Sequence, residues 1–535
     1  VAAGVGLSGA PGLADDRFAV LLDDAEARLK RRDRLGAAVR VRMAANAATT
    51  RHPGLFQSPR AEAVLGAVSA WLVQRQNPVR KAPGPLGRKP SILHVVTEAY
   101  RIGGHTKALQ RWVDADVDHV HHVAMTHQLT PVPDALAASV AASGGRLSVL
   151  SGSSSLFGMA RQLRALASDA LLVVLHIHPH DVVPSLAFAG WTERPPIAFF
   201  NHADHVFWLG EAISDAVINF RESGSRLCRA RRGFAAERDV LLPLPLPAEA
   251  PAPTMTKAQA RERLGLPASA RITLTVASAG KLKPNAHACF FTLHRPLFDA
   301  DPDVHMLLVG PAADDPVLAD RLRPFGGRMR ALGVQVDLAP YMAAADLYVD
   351  STPFASQTSM LEAAMRRLPV LSWRPYPVAS LSAVMGSDDV ALSTEDITFN
   401  DPDAYRAAVL RLLRNETAAT ALGARLAAAI PAHHAGEGWR RALADAYDRT
   451  IANAAHRPHT RIEPEPPSAV DEVVLAFHEG AGYSNDLLDF DNFEFMPLSM
   501  QLAEVGAIYR RHPEILKRFL PLSLRLRLSR LRPPA

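Results

Sequence analysis

The run Asp350-Ser351-Thr352-Pro353-Phe354-Ala355-Ser356-Gln357-Thr358-Ser359 gathers side chains able to do chemistry at a spacing that matters. An apolar stretch ends in Asp350, a small polar loop follows, and a helix is expected from about Thr358. The first N–H groups of a helix have no acceptor of their own, and the helix dipole adds partial positive charge there. Such a loop suits an anion, and a diphosphate in particular. Thr358 and Ser359 can add hydroxyl donors, Gln357 stands at the turn into the helix, and Asp350 is placed to accept a ribose hydroxyl. The plainer reading is that Ser356 or Thr358 only caps the helix.

Other stretches offer complementary groups. Ser278-Ala279-Gly280-Lys281-Leu282-Lys283-Pro284 follows an apolar segment, and a lysine there can neutralise a leaving diphosphate without a metal. Spacing alone does not choose between Lys281 and Lys283. Ile102-Gly103-Gly104-His105-Thr106-Lys107 opens a helix after another apolar run, where glycine lets backbone approach a bound group closely. Asn201-His202-Ala203-Asp204-His205 follows the strand-like 197–200 segment. A histidine at a strand end is a candidate general base near neutral pH, with His202 first and His205 second. Phe207 and Trp208 beyond it offer either a stacking face or packing.

The loop 350–359 resembles the donor-binding loop of the O-GlcNAc-transferase-like glycosyltransferases, family 41. Their pattern is Asp-Thr-x-Pro-x-x-Gly-x-Thr-Thr, then a helix ending in Gly-x-Pro-Val. Asp350, Pro353 and Thr358 fall in register, Ser359 stands for the second Thr, and Leu368-Pro369-Val370 closes the unit. Ser356 replaces the loop glycine and Arg367 the later one. The resemblance implies that Asp350 contacts the nucleotide ribose and that Thr358 and Ser359, with Gln357 beside them, contact the diphosphate. The family's Lys-x-x-Pro matches Lys281 and Pro284, which favours Lys281 over Lys283. Gly103-Gly104 is similar to the Gly-Gly loop of family 4. The same turn resembles the Gly-x-His of family 41, which puts His105 beside the sugar. Many two-lobed transferases carry a histidine where His202 stands. Glu362 matches the second, ribose-gripping Glu of the Glu-x7-Glu in retaining family 4 enzymes. Phe354 replaces the first, which favours an inverting reaction.

The implied fold is α/β and GT-B, two Rossmann-like domains facing across a cleft. The implied activity is metal-independent transfer of a hexose or N-acetylhexosamine from a nucleotide-sugar donor, a UDP-sugar. The acceptor is a carbohydrate, a lipid-linked group or a protein, and no resident cofactor is implied. Residues 339–344 lack the basic or histidine side chains that read uracil in family 41, and no tetratricopeptide array precedes the lobes. The alternative within the fold is a retaining family 4-like transferase of envelope polysaccharide or glycolipid synthesis.

These residues need two βα series to position them, and the chain supplies two. Residues 1–90 read as helical, 91–245 as the acceptor domain, 246–455 as the donor domain and 456–535 as an extension. Strands are expected at 92–97, 119–125, 147–150, 170–176, 197–201 and 216–220, then at 272–277, 305–309, 334–338, 346–349 and 370–372. Helices lie between, including 106–114, 156–167, 317–332 and 358–367, and 401–455 is helical. Leu241 to Pro253 reads as an interdomain linker rich in proline. Ligands in such sheets bind beyond the carboxyl ends of the strands.

Composition narrows the class. A chain of 535 residues needs two or three cores, and 48% hydrophobic with 21% charged residues is ordinary for a globular protein. A net charge of +5 is too small and too dispersed to argue for nucleic acid. Two cysteines, Cys228 and Cys289, exclude a disulfide framework and fit a reducing compartment. The absence of an apolar run near the ~20 residues of a spanning helix, and of a signal-peptide pattern, points to a cytoplasmic enzyme. The basic and apolar residues from Ile515 to Leu528 either pack on the protein or sit on the inner face of an acidic membrane. The patch 489–495 is read as a docking surface. The rival chemistry is a metal hydrolase using His176, His178 and His180 with His202 and His205. A degenerate sugar-nucleotide binder and an epimerase share the architecture.

Overall fold

The computed structural model describes residues 16–466 except 51, 77, 82–88, 102, 151–154, 251, 316–317 and 377–380, together with 474 and 492–511. Helices α1 (Asp16–Lys30), α2 (Arg34–Thr50) and α3 (Pro59–Gln76) come first. Their apolar side chains, Leu22, Val41 and Val68 among them, share one core with Leu186, Phe188 and Phe207. Gly190 permits the close approach of α3: a Cβ there would lie 2.5 Å from the Ala70 backbone.

The first lobe is built on β1 (Ser91–Val96), β2 (Val120–Met125), β3 (Leu147–Val149), β4 (Leu172–His176), β5 (Ile197–Phe200), β6 (Ala216–Asn219) and β7 (Asp239–Leu241). All pair in parallel in the order β3-β2-β1-β4-β5-β6-β7. The central strands are short apolar runs buried along almost their whole length, as strands covered on both faces must be. Helices α4 (Gly104–Ala115), α5 (Asp134–Ala142), α6 (Leu156–Ala167), α7 (Val183–Phe188) and α8 (Glu222–Arg232) connect them.

The second lobe repeats the plan with β8 (Arg271–Val276), β9 (Val304–Val309), β10 (Met329–Ala331), β11 (Leu347–Val349), β12 (Val370–Trp373) and β13 (Thr398–Phe399), in the parallel order β10-β9-β8-β11-β12-β13. Its helices are α9 (Lys257–Arg263), α10 (Phe290–Ala300), α11 (Ala319–Leu322), α12 (Ala339–Ala344), α13 (Gln357–Met365), α14 (Pro402–Arg414) and α15 (Glu416–His434). Strand order reverses between β1 and β4 in one sheet and between β8 and β11 in the other. These are the positions where a doubly wound sheet leaves a crevice.

Then the chain crosses back. Gly436, with φ +59, ends α15 and starts α16 (Gly436–Ala454) in a new direction. Trp439, Leu443, Ala446 and Tyr447 of α16 join the core of the first lobe with Trp112 and Phe200. Residues 457–465 continue along that lobe, where Arg457 and His459 bind Asp215. A last helix, α17 (Leu498–Arg511), carries Met500 into the first core.

Several expected elements differ. The helix expected over 317–332 is instead α11, a short 3-10 turn and strand β10. Pro324 and the left-handed Gly326 and Gly327 stop it. The strand expected at 334–338 is not one: Val334 and Val336 are exposed, and β10 lies just upstream. The 241–253 stretch is no loose linker at its start. Leu241 ends β7, and Leu242, Leu244 and Leu246 are buried. Within the patch 489–495, Phe495 is packed under the Arg42 guanidinium at 4.5 Å and beside His127. The basic segment 515–528 lies outside the described residues.

Arg367 stands at the C-terminal end of α13 in a conformation that favours glycine. Leu368 N–H bonds Ala363 O at 3.2 Å and Arg367 N–H bonds Ala364 O at 3.0 Å, the paired bonds of a Schellman end. That end needs a left-handed residue, and Arg367 takes φ +63 with its side chain in solvent. An L-residue there costs about 1–2 kcal/mol that glycine does not. Arg367→Gly is therefore expected to stabilise the protein by about 1 kcal/mol, read as a higher urea midpoint at unchanged slope.

Candidate functional site

Both sheets aim their carboxyl ends at one cleft, so the loops after β1, β4, β5 and β6 meet those after β8, β11 and β12. Two helix N-termini come together there. A Cβ built on Gly104, the first residue of α4, would lie 3.3 Å from Thr358 Oγ1 at the start of α13. No side chain caps either helix: Gly103 has none to offer, and Ser356 Oγ bonds Ser351 Oγ instead. Two uncapped N-termini facing each other concentrate unpaired N–H donors and partial positive charge at one point.

Lys281 stands at this junction, half-buried in the turn after β8. Its Nζ donates to Ala355 O at 2.7 Å and lies 4.8 Å over the Phe354 ring. Burial, opposed by Asp350, pulls its ammonium down to about 8. On the other side the Phe354 ring packs on His205 at 4.6 Å.

Some expected roles do not fit the geometry. Asp350 was expected to take a ribose hydroxyl, but its carboxylate is used inside the loop. Oδ1 accepts from Ser351 and Ser356 N–H at 2.8 Å each, and Oδ2 from Ser387 Oγ at 2.7 Å. Asp350 shapes the loop, and burial raises its carboxyl above the ordinary value. Glu362 was also expected at the ribose. It is buried and bonded across the cleft to Arg111 at 2.5 Å and Lys107 at 3.4 Å, both from α4. Gln357 turns its amide to Asp389 at 2.9 Å, a carboxylate that also accepts from His434 at 3.0 Å. Thr358 and Ser359 remain partly exposed at the helix start.

The first lobe brings three imidazoles together. His202 and His105 stack with centroids 5.4 Å apart, and His178 lies 6.1 Å from His105 and stacked on Tyr100. His202 Nδ1 faces Phe200 O at 3.3 Å, so it carries the proton and Nε2 keeps a lone pair. His105 Nε2 faces Glu98 O at 3.0 Å, which leaves its lone pair on Nδ1. Burial, then the neighbouring rings, pulls His202 down to about 3, and burial lowers His105 as well. Both are neutral and able to accept a proton. His176 is buried in the sheet and half-buried His180 packs on His178 at 5.8 Å, and among the described residues no three His, Cys, Asp or Glu side chains converge as metal ligands.

Arg221, which no motif in the sequence marks, follows β6 at a strand end like the others. Its guanidinium grips Asp204 at 2.7 and 2.8 Å and donates to Gly386 O of the second lobe at 2.8 Å. Asp388, beside Gly386, accepts from Ser223 N–H at 2.6 Å. Burial pushes the Asp204 carboxyl up, but Arg221 outweighs it and holds it at about 2.

No protein-family model matches the sequence, and no curated protein matches it. Solved structures do share its shape. Anabaena HepE in complex with UDP and glucose is 14% identical with a TM-score of 0.52, over 67% of this chain and 99% of that one. A mutant Thermobaculum terrenum O-GlcNAc transferase is 16% identical with a TM-score of 0.51, over 82% of this chain and 84% of that one. A Rickettsia africae glycosyltransferase is 13% identical with a TM-score of 0.52, over 68% of this chain and 100% of that one. At such identities the likeness establishes the fold, and the fold is GT-B.

Removing Arg221 would leave Asp204 buried without its partner. Arg221→Met is expected to cost about 3–5 kcal/mol in chemical denaturation at pH 7. Asp204 titrates near 2 in the fold and at 3.8 ordinarily, so its stabilisation is complete above about pH 4 and lost as pH falls toward 2. The variant should therefore show a flatter acid limb than the wild type.

Proposed function

We propose that this protein is a nucleotide-sugar-dependent glycosyltransferase that holds its donor on the second lobe and its acceptor on the first. The observation that carries the reading is the paired, uncapped N-termini of α4 and α13 with the Lys281 ammonium held on Ala355 O beside the start of α13. A diphosphate satisfies all three at once. UDP is the nucleotide favoured here, because HepE, which has a similar fold, binds it.

In the reaction an acceptor hydroxyl attacks the anomeric carbon, and the bond from that carbon to the diphosphate oxygen breaks. Negative charge grows on the leaving diphosphate, where the N–H groups at Gln357 to Ser359 and Lys281 stabilise it without reorganising. The acceptor proton passes to the lone pair of His202 Nε2, with His105 stacked on the ring. Attack on the face of the anomeric carbon opposite the departing diphosphate inverts that centre. The α4 and α13 donors and Lys281 supply the charge that a metal supplies elsewhere, so the reaction is metal-independent. Asp350 keeps the loop in shape for this and does not touch the donor. The acceptor is a hydroxyl-bearing carbohydrate, lipid-linked group or protein.

The test begins with binding. UDP at about 100 times its Kd should stabilise the protein by about 2.7 kcal/mol in thermal denaturation, with GDP, ADP and CMP giving less. Lys281→Ala should lose most of that shift while melting near the wild type. Because free Lys281 titrates at about 8, UDP affinity should be flat below that pH and fall about tenfold per unit above it. No shift with any nucleotide, or an alkaline limb unchanged in Lys281→Ala, would overturn the reading.

A further inference from the structure

A line of histidines crosses the first sheet, and the transfer step does not use it. His121 on β2, His94 on β1 and His176 on β4 are 0%, 0% and 1% exposed. Strand register sets them on a diagonal. His121 pairs with Ile92 near the amino end of β1, and His176 pairs with Val96 at its carboxyl end. His94 joins the two, with Nε2 2.9 Å from His121 Nδ1 and Nδ1 3.0 Å from His176 Nε2. A parallel-sheet core built from valine, isoleucine and leucine needs none of them for packing.

The outer end determines how each ring is protonated. His121 Nε2 lies 3.1 Å from Asp116 O and 3.4 Å from its carboxylate. Burial pushes that carboxyl up, but His119 and His121 bring it below the ordinary value, so it stays ionised and only accepts. The proton is therefore on His121 Nε2, and its Nδ1 is an acceptor. That places a proton on His94 Nε2, and the same step places one on His176 Nε2. The series ends at His176 Nδ1, a buried lone pair with no partner. The imidazoles acting electrostatically on this ring are His202 and His105 of the cleft.

We propose that His176, His94 and His121 form an oriented imidazole chain that carries the proton released in the cleft to Asp116 at the amino-terminal end of β2. The source of the proton rests on the transferase reading, whereas the chain itself does not. His176 Nδ1 receives the proton from His202 or His105 through one water. The His176 Nε2–H bond then breaks as His94 Nδ1 takes that proton. His94 Nε2–H passes to His121 Nδ1, and His121 Nε2–H passes to the Asp116 carboxylate. Every ring ends neutral with its proton on Nδ1, and must turn before the next pass. His119 Nδ1 lies 2.8 Å from Asp116 with its side chain 19% exposed, which opens the end to water. The other groups facing the chain are Tyr447, whose hydroxyl donates to Asp116 at 3.0 Å, and His122 beside His94. Burial keeps His94, His121 and His176 below the usual histidine range, so they conduct as neutral rings.

Nitrogen NMR of the full-length protein without substrate tests the chain first. All three rings should be Nε2–H tautomers, and a Nδ1–H tautomer on His94 or His176 overturns the proposal. Their ring protons should exchange with water at a common rate that His176→Asn or Asp116→Asn slows about tenfold. Unequal rates that neither variant changes also overturn it. With turnover in hand, His94→Asn should lower kcat about tenfold at unchanged donor KM and alter the solvent isotope effect. A purely structural His94 would lower the melting temperature and leave the isotope effect and pH profile alone, and that outcome refutes conduction. Failure of UDP binding with the tautomers and exchange as expected would instead refute the transferase reading alone.

Discussion

The arrangement of the cleft depends on one buried cation. Arg221 holds Asp204 with two bonds inside the first lobe and reaches Gly386 O in the second. A guanidinium this deep is stable only while both partners stay in place, because desolvation makes a lone buried charge costly. The bond geometry of a planar fork leaves little freedom in angle. The lobes are therefore held in one relation, and Gly104 meets Thr358 as a consequence. The Glu362 bridge to Arg111 and Lys107 strengthens the same contact from the α13 side.

Charge in the cleft is distributed in a way that suits an anionic donor. The second lobe offers helix N–H groups and a lysine whose ammonium burial has weakened. A partly desolvated cation gains more from a diphosphate than a hydrated one, since its water is already gone. The first lobe answers with neutral rings. Neutral imidazoles would not compete with Lys281 for an anion, yet keep lone pairs for a proton. Their neutrality follows from the same burial that lowers Lys281.

Helix α16 makes the two lobes one folding unit in part. Its Trp439 and Tyr447 pack against Trp112, and Tyr447 bonds Asp116 and Trp112. The outer end of the histidine line is thus completed by a helix that follows the second lobe in the chain. Segment 457–465 adds Arg457 and His459 to Asp215 on the same face.

Much of the fold was legible because it is written in local pattern. Short apolar runs alternating with helical stretches demand parallel strands, and the strand–loop–helix unit at 347–365 follows from the Asp-to-Thr spacing within it. The positions of Lys281, Gly104, His105, His202 and Thr358 around one cleft also follow, since each lies just beyond a strand end. What the sequence could not decide is which partner each side chain meets. Glu362 looks free for a ribose until Arg111, 251 residues away in the chain, is folded against it. Asp350 looks like a ligand group until Ser356 and Ser387 fill its oxygens. His94, His121 and His176 look like stray polar residues in apolar strands until strand register sets them in hydrogen-bond contact. Local pattern encodes which backbone forms and where it ends. Hydrogen bonds and ion pairs between distant residues depend on how the elements pack, and only the tertiary structure decides those.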